Sequence, residues 1–184
     1  RAIDAIPVFS NVHRELLLKV RPTVDADKVF ITGLGVELAD YCCPPPRDKV
    51  DGRMLYANDP ARGLFYTLDV FDLVKQQIPH ATLHVAYDFD NQFNWRKWEH
   101  SHMAQMLWEC KDRLENTDGV VNLGGLSREE IIKEQLGCQV HCYPADPPGI
   151  GTQTHGLTQA ECAAAGSALV LSDVEAFPEV FGEG

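Results

Sequence analysis

The sequence predicts an α/β protein: a Rossmann-like parallel sheet with helices on both faces. Two observations carry this. From Val29 onward short β-rich runs alternate with helical patterns, the sequence form of repeated βαβ units. Most of those runs are continuously apolar instead of alternating with polar residues, as strands covered on both faces are. The 184 residues, 45% apolar and 23% charged, suit one domain, or one lobe with a piece of another, around a core of ordinary size.

At the start, a short apolar piece from Ile6 to Ser10 leads into a helical stretch through Leu16, Leu17 and Leu18 that ends near Pro22. This segment, 1–28, reads as the tail of a preceding lobe. Strands are expected at 29–32, 54–57, 82–87, 120–123, 140–143 and 168–171. Pro44, Pro45 and Pro46 make 40–51 a rigid extended loop. Leu64, Leu68, Phe71 and Val74 recur at helical spacing, and Pro79 closes that helix. Trp95, Trp98, His102, Met106, Cys110 and Leu114 mark one face of a longer helix, most simply a buried one. A third helix starts at Ser127, with Glu130 completing a capping box, and a fourth runs through Ala163 to Ala165.

A net charge of −11 and a pI of about 4.9 argue against a sequence-blind grip on nucleic acid or anionic membrane, both of which need a basic footprint. An anionic ligand must then be held by a local site. The longest run of small and apolar residues, Cys162 to Leu171, is half of the roughly 20 residues a spanning helix needs, so no transmembrane segment is expected. Arg1 begins without the pattern of a signal peptide. The six cysteines follow no disulfide-scaffold spacing and read as free thiols in a reducing cytoplasm.

Four groups of residues could carry chemistry. Between the strand ending at Tyr143 and the helix through Ala163, the loop DPPGIGTQTHGLTQAE (146–161) brings Gly149, Gly151 and Gly156 to a helix N-terminus at a strand's carboxyl end. Unpaired backbone N–H groups and the helix dipole suit such a junction to phosphate, although the same glycines would also serve a plain strand-to-helix connection. Arg62 and Gly63 open the helix after the strand at 54–57, where a guanidinium either reaches a diphosphate or is solvated in the first turn. Asp88 and Asp90, in AYDFDN, have the Asp-x-Asp form that suits Mg²⁺ or Mn²⁺, and equally the form of turn residues after a strand. Cys138, His141 and Cys142 offer zinc-type ligands, but in an extended strand His141 points away from the two cysteines, so no shared ion is expected.

Nearly the whole chain resembles the C-terminal, nucleotide-sugar-binding domain of the retaining GT-B glycosyltransferases of the glycogen-synthase and mannosyltransferase-like type, the group 1 glycosyl transferases. YANDPARGL resembles the family's loop in which a basic residue before Gly holds the donor diphosphate, and IPHATLHVAYDFD its next strand. VNLGGLSREEI resembles the turn that lines the base, and QTHGLTQAECAAAGSALVLSDVEAFPEV the donor loop with its helix and following strand.

The resemblance implies a hexosyltransferase donor lobe at 29–184 that binds a nucleoside-diphosphate sugar without metal or further cofactor. It implies Arg62, Gly63, Thr154, His155, Gly156 and Leu157 around the diphosphate and Gly125 and Leu126 beside the base. Glu161 would hold the ribose, and Gln153 stands where the family usually has a glutamate facing the sugar. An amide can hydrogen-bond sugar hydroxyls but supplies no charge to a developing oxocarbenium ion. Catalysis by Gln153 and Glu161 therefore has two alternatives: a non-catalytic binding module, or a metal-dependent transferase using Asp88 and Asp90. The resemblance also makes 1–28 the exit of an acceptor lobe, expected to hold a sugar, lipid or protein acceptor, and makes 29–184 a donor lobe cut before its final elements, inactive by itself.

Overall fold

The computed structural model describes residues 3–42, 48–89, 104–145 and 153–182. Strands β1 (Ile6–Val8) and β2 (Val29–Ile31) flank helix α1 (Asn11–Val20), and α2 (Ala39–Cys42) follows. The main series is β3 (Arg53–Tyr56), α3 (Leu64–Gln77), β4 (Thr82–Val85), α4 (Ala104–Asn116), β5 (Val120–Asn122), α5 (Arg128–Gly137), β6 (Val140–Tyr143), α6 (Leu157–Ala164), β7 (Ala168–Leu171) and α7 (Phe177–Phe181).

Five parallel strands form one sheet in the order β5-β4-β3-β6-β7. Successive strands step outward from β3 to β5 on one side and from β6 to β7 on the other. The order therefore reverses between β3 and β6, the crevice where open α/β sheets receive ligands. The expected class, a Rossmann-like parallel sheet with surrounding helices, is the observed one.

The central strands are apolar throughout because both faces are covered. On one face Met54 and Tyr56 of β3 and Leu83 and Val85 of β4 pack with Leu68 and Phe71 of α3 and Cys110 and Leu114 of α4. On the other, Leu55 packs with Cys138 and Cys162, beside a cluster of Tyr41, Leu136 and Ala165. Central β3, β4 and β6 each bury their last three residues. The edge strands β5 and β7 have none buried.

Several local expectations need adjusting. Residues 29–31 do not join the five-stranded sheet; they pair in parallel with β1, Ile6 opposite Val29, so this ladder crosses the expected division between 28 and 29. A run of three strand residues says nothing of its partner, and α1 between the two makes a local βαβ unit. Ala39–Cys42 is a helical turn that overlaps the start of the stretch expected to be extended, while 43–47 lie outside the described residues. On α4 the buried positions are Leu107, Cys110 and Leu114; Met106 is half-buried, and Trp95, Trp98 and His102 lie outside the described residues. The capping box at Ser127 is present: its hydroxyl accepts from the Glu130 N–H, and the Glu130 carboxylate accepts from the Ser127 N–H at 2.8 Å. Among the described residues no helix is long and apolar enough to cross a membrane.

Candidate functional site

The loops at the carboxyl ends of β3 and β6 meet across the crevice. After β3 the chain makes a single 3-10 turn at Pro60–Arg62, capped by the Asp59 carboxylate, which accepts from the Ala61 N–H at 3.1 Å. The Tyr56 hydroxyl donates to the Asp59 carbonyl at 2.8 Å, anchoring this loop to the strand that launches it. Gly63 then starts α3 at φ +130°, and a Cβ there would lie 2.4 Å from the Pro144 carbonyl oxygen. Only glycine lets the two loops approach so closely.

β6 ends in Tyr143, which is 1% exposed and wedged among Tyr56, His141 and Phe177 with ring centroids 5.8 to 6.4 Å away. Its hydroxyl oxygen accepts from Gln153 Nε2 at 2.6 Å, and the Arg62 guanidinium is near enough to act on the phenol electrostatically. Burial raises the phenol to about 12 although Arg62 pulls the other way, so it is neutral at physiological pH. The structure thus brings the Gln153 amide onto the Tyr143 hydroxyl, with the Arg62 charge nearby. The Gln153 backbone is fixed as well, its N–H donating to the Glu175 carboxylate and its carbonyl accepting from the Ala176 N–H at 3.2 Å. Glu175 holds a left-handed φ of 52°, uncommon for a residue with a side chain.

Thr154, His155, Gly156 and Leu157 carry the chain into α6. Thr154 is half-buried and Leu157 is exposed. Gly156 sits at φ +94°, with Gln159 and Phe177 each 2.8 Å from where a Cβ would be. His155 is 8% exposed; its Nε2 accepts from the Leu34 N–H at 3.2 Å, and burial lowers its pKa. It therefore ties the loop to the segment after β2. Gln159, 1% exposed, points back from α6 to Asn58 Oδ1 at 3.5 Å and His141 Nε2 at 3.4 Å.

Glu161 lies two residues further along α6, in a second cluster. One carboxylate oxygen accepts from Arg128 Nη1 at 2.5 Å and the other from Gln135 Nε2 at 3.0 Å. Arg128 also donates to Asp40 at 2.9 Å, and the Tyr41 hydroxyl donates to Gln135 Oε1 at 2.8 Å. Arg128 is two residues past Leu126, so it ties Glu161 to the turn of Gly125 and Leu126. Gly125 in turn lies against Asp88, whose Cβ is 3.0 Å from the position of an added Cβ.

The expected residues thus fall into two groups along one rim: Arg62, Gly63 and Gln153 around Tyr143, and Glu161 with the Gly125–Leu126 turn joined by Arg128. Tyr143, Arg128, Gln135 and Gln159 were not singled out from sequence. Tyr143 ends a strand just before a glycine-rich loop, and Arg128 belongs to the SREE capping stretch; each reads locally as a structural residue.

Other candidates behave differently. Asp90 lies outside the described residues, and among those described no three His, Cys, Asp or Glu side chains converge to hold a metal ion. Cys138 is not part of a strand as expected; it caps α5, its thiol contacting the Ser167 hydroxyl at 3.2 Å. Cys42, Cys110, Cys138, Cys142 and Cys162 are free thiols. A cavity of about 700 Å³ lies between the β7 edge and α7, lined by Leu169, Leu171, Phe177 and Phe181, apart from the expected site residues.

This arrangement is the fold of one lobe of a GT-B glycosyltransferase. The chain superposes over 96% of its length on part of Anabaena Alr3699/HepE, solved in complex with UDP and glucose, with a TM-score of 0.68 and 12% identity. It superposes over 99% on TarM (TM-score 0.66, 14% identity) and over 96% on a sucrose-phosphate synthase from Thermosynechococcus elongatus (TM-score 0.62, 16% identity). It spans only 46%, 32% and 42% of those chains. In sequence, a stretch of 68 residues is 31% identical to a UDP-N-acetylmuramate–L-alanine ligase of Synechococcus elongatus, covering 35% of this chain and 14% of the ligase. No protein-family model matches the chain.

Proposed function

We propose that this chain is the donor-binding lobe of a sugar transferase, holding a nucleoside-diphosphate hexose at the crevice between β3 and β6. One observation carries the reading: across the crevice Gly63 brings the Arg62 loop against Pro144, next to the Tyr143 hydroxyl that accepts from Gln153. Arg62 supplies positive charge for the diphosphate, and the neighbouring amide is placed to hydrogen-bond sugar hydroxyls. The Thr154 to Leu157 loop adds backbone N–H groups at the start of α6. Glu161 and the Gly125–Leu126 turn define the ribose and base end. Charge stabilisation of a departing diphosphate is the chemistry these groups suit. That HepE was solved with UDP and glucose is consistent with such a ligand.

The acceptor, a sugar, lipid or protein, would be positioned by a second lobe of the full-length protein, since each of the three neighbours is more than twice as long as the matched region. Retention of configuration follows only from the family resemblance. Gln153 favours a second reading, a non-catalytic nucleotide-sugar-binding module, because its amide brings no negative charge to the sugar. Turnover by the full-length protein, compared with donor affinity alone, separates the two. A third reading, metal-dependent transfer through Asp88 and Asp90, requires donor binding that EDTA abolishes.

The deciding experiment is a thermal-shift screen against UDP, GDP, ADP and their hexose conjugates. Ligand stabilisation follows RT ln(1 + [L]/Kd), so a hundredfold excess over Kd adds about 2.7 kcal/mol. At least one of these nucleotides should raise the melting temperature. No shift with any of them would remove the proposed site.

A further inference from the structure

We propose that helix α2 is a positioning element for the ribose contact: Asp40 and Tyr41, adjacent in α2, hold the two oxygens of the Glu161 carboxylate through Arg128 and Gln135, and so set the preference of the site for a ribonucleotide. The proposal rests on the donor-site reading above and goes further, since neither α2 residue belongs to the motifs from which that reading began and the sequence assigns 40–51 only to an extended loop.

Two routes lead from α2 to Glu161. On the first, the Asp40 carboxylate accepts from Arg128 Nη2 at 2.9 Å, and Arg128 Nη1 donates to Glu161 Oε1 at 2.5 Å. On the second, the Tyr41 hydroxyl donates to Gln135 Oε1 at 2.8 Å, and Gln135 Nε2 donates to Glu161 Oε2 at 3.0 Å. Each carboxylate oxygen therefore has its own donor, and both donors are held by neighbouring residues of one helical turn. The last torsion of a glutamate side chain is soft, so a carboxylate held at one oxygen still turns. Held at both, it keeps one plane, with about half of its lone-pair positions left for ribose hydroxyls.

Tyr41 also decides which way round the Gln135 amide sits. Burial pushes the phenol up to about 12, so at neutral pH it keeps its proton and the amide turns its carbonyl oxygen to it. The amide nitrogen then faces Glu161. Without the hydroxyl, a flipped amide would set its oxygen against the carboxylate, in a side chain that is fully buried and has no water to turn to. The Tyr41 ring is fixed in turn: it is 3% exposed, packs with Leu136 and Ala165, and lies 5.9 Å beneath the Arg128 guanidinium. One ring thus supports both routes.

The test is calorimetry on the full-length protein with UDP, GDP and ADP, each beside its 2′-deoxy form. The nucleotide that binds should bind about tenfold or more tightly as the ribo form, because the deoxy form lacks one hydrogen bond to a charged group. Asp40→Asn and Tyr41→Phe, which keep size and packing, should each lower that preference by about threefold or more, within the range for side chains sharing one network. In a Glu161→Ala background, where the preference is gone, neither should change the ratio further. Leu114→Ala, on the opposite face of the sheet, loosens the core and should leave the ratio as it is. An unchanged ratio in either α2 variant, a change that persists without Glu161, or the same change in Leu114→Ala overturns the positioning role alone. A preference untouched by Glu161→Ala overturns the ribose assignment and the positioning role with it. Binding of none of the three nucleotides overturns the donor-site reading itself, and the proposal built on it.

Discussion

Glu161 shows how a single side chain can serve folding and binding together. A buried carboxylate accepting from Arg128 and Gln135 still has lone pairs free for ribose hydroxyls, each charged hydrogen bond contributing roughly 1.5 to 3 kcal/mol. Glu161→Ala should therefore weaken nucleotide binding about tenfold to a hundredfold. It should also lower stability by about 1 to 3 kcal/mol, chiefly because the buried Gln135 amide loses its acceptor; Arg128 is half exposed and can turn to water. Calorimetry and urea unfolding check the two effects, and unchanged affinity for the nucleoside diphosphate would sink the ribose assignment. Arg62→Ala should act differently, weakening nucleoside diphosphates while leaving the free nucleoside nearly untouched, because a guanidinium contact recognises phosphate. Equal losses for both ligands would make Arg62 a scaffold residue. The individual ligand candidates were legible from motif resemblance, but their partners were not. Glu161 lies 33 residues from Arg128 and Gln153 ten from Tyr143, separations over which a local motif carries no record of the partner.

Strands and helices were more legible than their pairings. The runs at 54–57, 82–87, 120–123, 140–143 and 168–171 each overlap a strand of the sheet, the first displaced by one residue, because burial on two faces leaves a continuous apolar signature. α3 was legible from Leu64, Leu68 and Phe71, all fully buried, and α5 from its capping box. The pairing of β2 with β1 was not, since hydrogen bonds between strand backbones carry no sequence code. The approach of the β3–α3 loop to the β6 loop was legible only as a glycine beside an arginine. Here the structure makes a strong demand: Gly63→Ala places a methyl group 2.4 Å from the Pro144 carbonyl oxygen at a φ of +130°. The expected cost is roughly 3 kcal/mol, the upper part of the range for strained backbone positions, with weakened diphosphate binding as the two loops separate. A variant of unchanged melting temperature would contradict the close approach. Gly124→Ala, at a φ of +67° with open space around it, is the comparison that isolates backbone strain from collision.

The buried histidines predict how the protein responds to acid. His141 is fully buried and burial lowers its pKa to about 4, and His155 is lowered in the same direction. In the unfolded chain a histidine titrates near 6.5, so between about pH 6.5 and 4 the unfolded state binds more protons than the folded one. Stability is full above pH 6.5 and falls as pH drops through that window, with His141 alone contributing about 3 kcal/mol. Urea unfolding at pH 7 and pH 4.5 should show the loss, and a flat profile would place His141 in contact with water. For activity, effective rate in a two-substrate transfer comes from fixing both reactants, a term of roughly 7 to 11 kcal/mol. Residues 1–184 alone should therefore bind a nucleotide sugar and transfer nothing; robust transfer by this segment would show that no second lobe is needed. One further contact has a consequence for biosynthesis. The Asn11 backbone and side chain both donate to the Glu179 carboxylate at 2.9 to 3.0 Å, joining positions 168 residues apart. During synthesis on the ribosome α1 emerges long before its carboxylate cap, so the β1–α1–β2 unit waits with the first turn of its helix unclamped. The clamp can close only after the strands of the parallel sheet have emerged, and the entropy of closing so long a loop is smallest once that sheet has drawn the intervening chain together.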